Sequence, residues 1–100
     1  MAKGYWVGRI QVNNAEGYKA YADANPAIFK KHGGTFVIRS GKFECPEGQS
    51  RPRNVVIEFP SYEAALACYK SPEYQANIKV RQPHSIVDII IIEGYDGPQP

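Results

Sequence analysis

RNVVIEFPSYEAALACYKSPEY, residues 53–74, holds a strand, a sharp turn and two capped helices in direct succession. Val55, Val56, Ile57 and Phe59 are β-branched or aromatic and the run stops at Pro60, so it reads as a buried strand. Ser61 opens a helix: its hydroxyl accepts from an orphan backbone N–H one turn on, and Glu63 sets negative charge at the positive end of the helix dipole. Ser71-Pro72-Glu73 repeats the signal, with a cap, a proline at the first helical position and an acid in the first turn. Tyr62, Ala65, Leu66 and Tyr69 give the first helix a compact apolar face. Tyr74 and Ile78 do the same for the second.

Working toward the N-terminus, GYWVGRIQV (residues 4–12) alternates, with Tyr5, Val7, Arg9 and Gln11 on one side and Trp6, Gly8, Ile10 and Val12 on the other. Asn14 is an N-cap for a helix starting at Ala15. Tyr18, Tyr21, Ala22, Asn25, Ile28, Phe29 and His32 then share one arc at about 100° per residue. The arc stays in phase across Pro26, which predicts a kink or restart at Asn25-Pro26 and an end at Gly33-Gly34. Thr35 to Arg39 is a second strand, with a bulge or bend at Ser40-Gly41 before Lys42 to Cys45 continues its direction. Pro46 to Pro52 is a loop. Toward the C-terminus, Gln82-Pro83-His84 breaks the helical pattern, Ile86 to Glu93 is the last strand, and Gly94 to Pro100 is a turn-forming tail.

The order is βαββαβ, the split pattern of a ferredoxin-like sandwich: α+β, a four-stranded antiparallel sheet with its helices on one face. One such domain spans residues 1–95, and residues 96–100 form a tail. A free sheet face meeting water should alternate. On the last strand Val87, Ile89 and Ile91 occupy one face while Ile90 and Ile92 occupy the other, so both are apolar. The expected cover for the free face is a second copy of the chain, giving a dimeric α+β barrel.

Composition narrows the function classes. The chain has 100 residues, 43% hydrophobic and 22% charged, the profile of one globular domain. Its net charge of +2, from scattered Lys and Arg, gives no nucleic-acid footprint. Met1 to Gly4 runs straight into a strand without the apolar core of a secretory signal, and no window approaches about eighteen apolar residues, so a soluble cytoplasmic protein without membrane contact is expected. Cys45 and Cys68 stand apart with no His or Cys at ligand spacing and are expected to be free thiols. No metal site is expected. There is no phosphate loop, dinucleotide fingerprint or nucleophile elbow, and no cofactor is expected.

The strand faces supply the candidate site. Arg9 points away from Trp6, Ile10 and Val12, and Glu58 shares a face with Asn54 and Val56. Arg39, with Thr35 and Val37, and Asp88, with Ile90 and Ile92, are assigned to that same free face. Two arginines and two carboxylates would then cluster beneath the partner's sheet. An Arg fork suits a planar carboxylate or enolate, and a desolvated carboxylate suits proton transfer. One reading is a pocket for a small anionic or enolisable molecule, bound by Arg9, Arg39, Tyr5 and Asn54, with Glu58, Asp88 or His32 as acid or base. The other is a non-catalytic dimeric module in which Arg9 neutralises Glu58 and Arg39 neutralises Asp88, because lone buried charges must pair. At the end of helix one on its apolar arc, His32 is more often a helix-terminal or half-buried histidine than a base.

The whole chain resembles the small, mostly bacterial proteins grouped as domain of unknown function 1330. The resemblance is carried by GYW at residues 4–6, Gly33-Gly34 after a Lys-rich helix end, Arg39 to Gly41, and above all RNVVIEFPSYEAALACYKSPEYQ at residues 53–75. It implies a dimeric α+β barrel with two sheets face to face, and no particular reaction. Ser40 departs from an Arg-Gly-Gly pattern. Relatives by fold include cofactor-free monooxygenases, muconolactone isomerase-like enzymes and chlorite dismutase-like haem proteins, which use a cavity inside such a barrel.

Overall fold

The computed structural model describes residues 2–100. Strand β1 (Gly4–Val12) leads to helix α1 (Ala15–Lys31), then β2 (Thr35–Arg39), β3 (Arg53–Phe59), α2 (Tyr62–Lys70), α3 (Pro72–Arg81), a single 3-10 turn (Gln82–His84) and β4 (Ser85–Glu93). The sheet order is β2-β3-β1-β4, with every pair antiparallel. This is the ferredoxin-like α+β sandwich that the sequence predicts.

The caps act as their side chains dictate. Asn14 accepts from the Gly17 N–H, Ser61 from that of Ala64 and Ser71 from that of Tyr74. Helix α1 runs through Pro26 without a restart. Its buried residues Tyr18, Tyr21, Asn25 and Phe29 keep one face over the sheet, and Asn77 of α3 donates to both the Tyr21 carbonyl (3.2 Å) and Asn25 Oδ1 (2.9 Å). That polar clasp joins α1 to α3 just ahead of the proline.

The core lies between helices and sheet, around Trp6, Phe29, Phe59, Ala65, Cys68 and Tyr74. On the covered side β1 presents Trp6, Gly8 and Ile10, β3 presents Val55, Ile57 and Phe59, and β4 presents Val87, Ile89 and Ile91. The other side carries Tyr5, Val7 and Arg9 on β1, flanked by Asn54, Val56 and Glu58 and by Asp88, Ile90 and Ile92. Among the described residues no secondary structure covers it, and Ile38, Ile86, Ile90 and Ile92 are all exposed there.

Two expectations for the segment after β2 are corrected. The bulge falls at Val37, not at Ser40-Gly41: Phe36 lies opposite Ile57 and Ile38 opposite Val56, leaving Val37 without a partner. Because side-chain facing has period two, the extra residue sends Arg39 to the helix side, opposite Val55, and off the free face. Residues Lys42 to Cys45 do not continue the strand. Ser40 adopts a left-handed φ of 53° and turns the chain away.

Candidate functional site

The register fixes what the free face brings together. Arg9 lies between Asn54 and Asp88, and Tyr5 between Glu58 and Ile92. Four residues of strand separate the Arg9 and Tyr5 rows, about 13 Å at the usual rise, too far for an Arg9–Glu58 contact. Glu58 instead accepts from the Tyr5 hydroxyl at 3.0 Å and lies 3.5 Å from Lys3 Nζ. Donation to Glu58 holds the Tyr5 phenol above its ordinary pKa. Asp88 accepts from Arg51 Nε at 2.7 Å, so Arg39 is not its partner. The expected cluster of two arginines and two carboxylates is therefore divided. Arg9 forms no ion pair among the described residues. It stands beside an open depression shared with Phe43, Cys45, Ser50 and Asn54. His32 caps α1, its Nδ1 3.1 Å from the Ile28 carbonyl, away from both groups.

The covered side holds an unexpected cavity of about 140 Å³ between α1 and the sheet. Trp6, Phe29, Phe36 and Ile57 form part of its apolar wall, and Tyr18, Tyr21 and Asn25 reach it from α1. Arg39, Ser40 and Arg53, all exposed, border it where β2 ends and β3 begins. The opening has a simple origin. Gly8 sits mid-strand between Trp6 and Ile10, and a Cβ placed there would meet nothing nearer than the Val55 carbonyl oxygen at 3.9 Å. Its backbone needs no glycine conformation; what position 8 lacks is volume. Sequence reasoning placed Gly8 on the apolar face and Tyr18, Tyr21 and Asn25 on one helical arc. It did not see that the two surfaces meet around a gap, although a glycine between bulky neighbours on a core face is a visible signal.

Burial favours the neutral form of two phenols in this core, Tyr18 at the cavity and Tyr74 behind it. Burial pushes Tyr18 up to about 12, and Tyr74 is raised still further by burial and by Tyr21, whose hydroxyl lies 2.6 Å from its own. Burial likewise pushes the Cys68 thiol up to about 12. Unfolded tyrosine and cysteine titrate near about 10 and 8.5. Between those values and about 12 the unfolded chain has released protons that the native chain retains, so stability, intact below about pH 8, falls as pH rises. Alkaline titration is expected to show tyrosinate absorbance rising together with loss of helical circular dichroism. Full ionisation of all the tyrosines near pH 10 in a folded chain would contradict this account.

Among the described residues, no three His, Cys, Asp or Glu are grouped to hold a metal ion, and no helix is long and apolar enough to cross a membrane. Cys45 is an exposed and Cys68 a buried free thiol.

A four-stranded antiparallel sheet covered on one face by helices, with a cavity beneath the longest of them, defines a ferredoxin-like α+β protein. The family model "Domain of unknown function (DUF1330)" matches residues 3–95, and the chain belongs to that family. No curated protein matches it. Among solved structures it is similar to RPA0582, a protein of unknown function from Rhodopseudomonas palustris, at 20% identity and a TM-score of 0.73 over 96% of this chain and 85% of that one. It is also similar to SnoaB, a cofactor-independent oxygenase from Streptomyces nogalater, at 14% identity and a TM-score of 0.64 over 100% and 97%. A dimeric ferredoxin-like protein of unknown function from Thermobifida fusca YX aligns at 11% identity and a TM-score of 0.57 over 92% and 89%. At these identities the likeness establishes the fold.

Proposed function

We propose that this protein is a homodimer that binds a small organic molecule in the cavity beneath α1. The observation that carries the reading is Gly8. A strand-interior glycine costs roughly 0.5–1 kcal/mol against a residue with a side chain, and here nothing nearby prevents one from being present. A core left open at such a cost, walled by rings and bordered by two exposed arginines, has the form of a ligand seat. The dimer is supported by the exposed isoleucines of the free face and by the dimeric neighbour of the same fold. The oxygenase among the neighbours makes cofactor-free chemistry on such a ligand a natural extension.

A second assignment concerns the free face. Glu58 and Asp88 are each held by a cation of their own chain, Lys3 and Arg51, and Tyr5 donates to Glu58, which supports a structural part for these three between two sheets, with Arg9 and Asn54 beside them in the Asp88 row. Of the residues expected to bind or react, only Arg39 then serves the ligand seat. The bond from the His32 ring to Ile28 supports a capping part for His32.

Gly8→Val tests the proposal. Three added carbons, a Cβ and its two methyls, buried in the gap with better strand propensity should raise stability by about 1–2 kcal/mol. Light scattering should give twice the chain mass for both proteins. Benzyl alcohol should perturb the fluorescence of Trp6, which lines the cavity and is the sole tryptophan, in the native chain but not in the variant. An equal response in both would move the seat elsewhere, and a single-chain mass would remove the dimer.

A further inference from the structure

The polar groups around the cavity share a property that its apolar walls do not explain: each can donate, two are cations and none is an anion. Arg39 and Arg53 border the opening, and no carboxylate is among its lining residues. Neither arginine forms an ion pair among the described residues. The Arg39 guanidinium lies 4.5 Å from the centroid of the Phe36 ring, and that of Arg53 lies 5.6 Å from the centroid of the Tyr18 ring. A contact with a ring uses none of a guanidinium's N–H groups, so the fork that receives a carboxylate stays available. Deeper in, the Asn25 carbonyl oxygen accepts from Asn77 Nδ2, which orients its own amide N–H groups as donors for another partner. The Tyr18 hydroxyl adds another donor. Negative charge at the opening is what this arrangement lacks.

Size and shape limit what carries that charge. A cavity of about 150 Å³ lined by apolar side chains takes up benzene, and this one is about 140 Å³. Trp6, Phe29 and Phe36 give it aromatic walls suited to a flat ring. One ring matches that volume, and a fused second ring would extend into the opening where the arginines stand.

We infer that the ligand is a monocyclic aromatic carboxylate, with its ring beneath α1 and its carboxylate at Arg39 and Arg53. The inference rests on the cavity being the ligand seat, and it adds ring count, charge and the two anchoring residues. Arg53 had no part in the sequence reading beyond opening β3. It becomes a ligand-binding residue because its position opposite Ile10 sets it at the same end of the sheet as Arg39.

The test is a titration of Trp6 fluorescence with benzoate, benzyl alcohol and 2-naphthoate, on the native chain and on Arg39→Gln and Arg53→Gln. Both arginines are exposed and pair with no acid, so the variants should keep the native circular dichroism and melting temperature. Benzoate should bind roughly tenfold or more tightly than benzyl alcohol, 2-naphthoate should bind more weakly than benzoate, and each variant should reduce the preference for benzoate several-fold. Benzoate binding no tighter than benzyl alcohol, while benzyl alcohol still distinguishes the native chain from Gly8→Val, overturns the anion inference and leaves the seat in place. A preference for benzoate untouched by both arginine variants overturns the anchors. If neither single-ring probe binds, the inference and the seat fall together.

Discussion

Replacing Trp6 with alanine should remove about 3–5 kcal/mol of stability, a large share of the roughly 5–15 kcal/mol that holds a domain of this size folded. Trp6 is 1% exposed at the centre of the covered sheet face. Its ring centroid lies 4.8 Å from that of Tyr74, 5.1 Å from Phe29, 5.6 Å from Phe59 and 5.8 Å from Tyr69. One side chain thus joins β1 to β3 and to all three helices. Its indole N–H also donates to the Ala65 carbonyl at 2.8 Å, fixing the depth at which α2 sits. Trp6→Phe keeps a ring in the cluster and should lose clearly less than the alanine variant. Urea unfolding followed by circular dichroism measures both, and a loss of under about 1 kcal/mol for Trp6→Ala would mean that the cluster collapses around the gap far more readily than close packing allows.

Gly4→Ala should be the most damaging addition of a single methyl group in the chain. A Cβ at position 4 would lie 2.4 Å from the Ser61 carbonyl oxygen and 2.6 Å from the Tyr62 Cα, both backbone atoms at the start of α2. Backbone cannot rotate aside as a flexible side chain does, so β1 and α2 must separate, and a cost of about 1–3 kcal/mol is expected for such overpacking. The natural comparison is Gly41→Ala, where a Cβ meets nothing within 4 Å and the change should stay within about 0.5 kcal/mol. Equal melting temperatures for the two variants would show that the contact between Gly4 and the α2 cap has slack. The pair also separates two uses of glycine in β1: at position 4 a neighbour excludes a side chain, whereas at position 8 the space is open.

The order of elements was legible because each signal is local. A serine before an acidic first turn, a proline at the first helical position and a β-branched run ending at a proline act within one turn of chain, and residues 53–74 fold as those rules dictate. The two-sided apolar character of β4 was equally readable, since alternation needs only the strand itself. Facing along β1, β3 and β4 followed, so Arg9, Asn54, Glu58 and Asp88 occupy the free face as expected.

Arg39 and the cavity were beyond that reach. The side to which Arg39 points depends on one unpaired residue at Val37, and a bulge is set by how β2 meets β3, not by the five residues of β2 alone. The partners of Glu58 and Asp88 come from Lys3 and Arg51, outside the strands, where no periodicity operates. Tyr18 and Arg53 are unremarkable in sequence, and Gly8 signals only a missing side chain on a core face. They become one site only when α1 is laid across the sheet, because a cavity belongs to the distance between surfaces. The sequence by itself determined the elements, their order and the faces of regular strands through local hydrogen bonding and side-chain period. Tertiary packing alone decided where the sheet departs from that period and where the core was left unfilled.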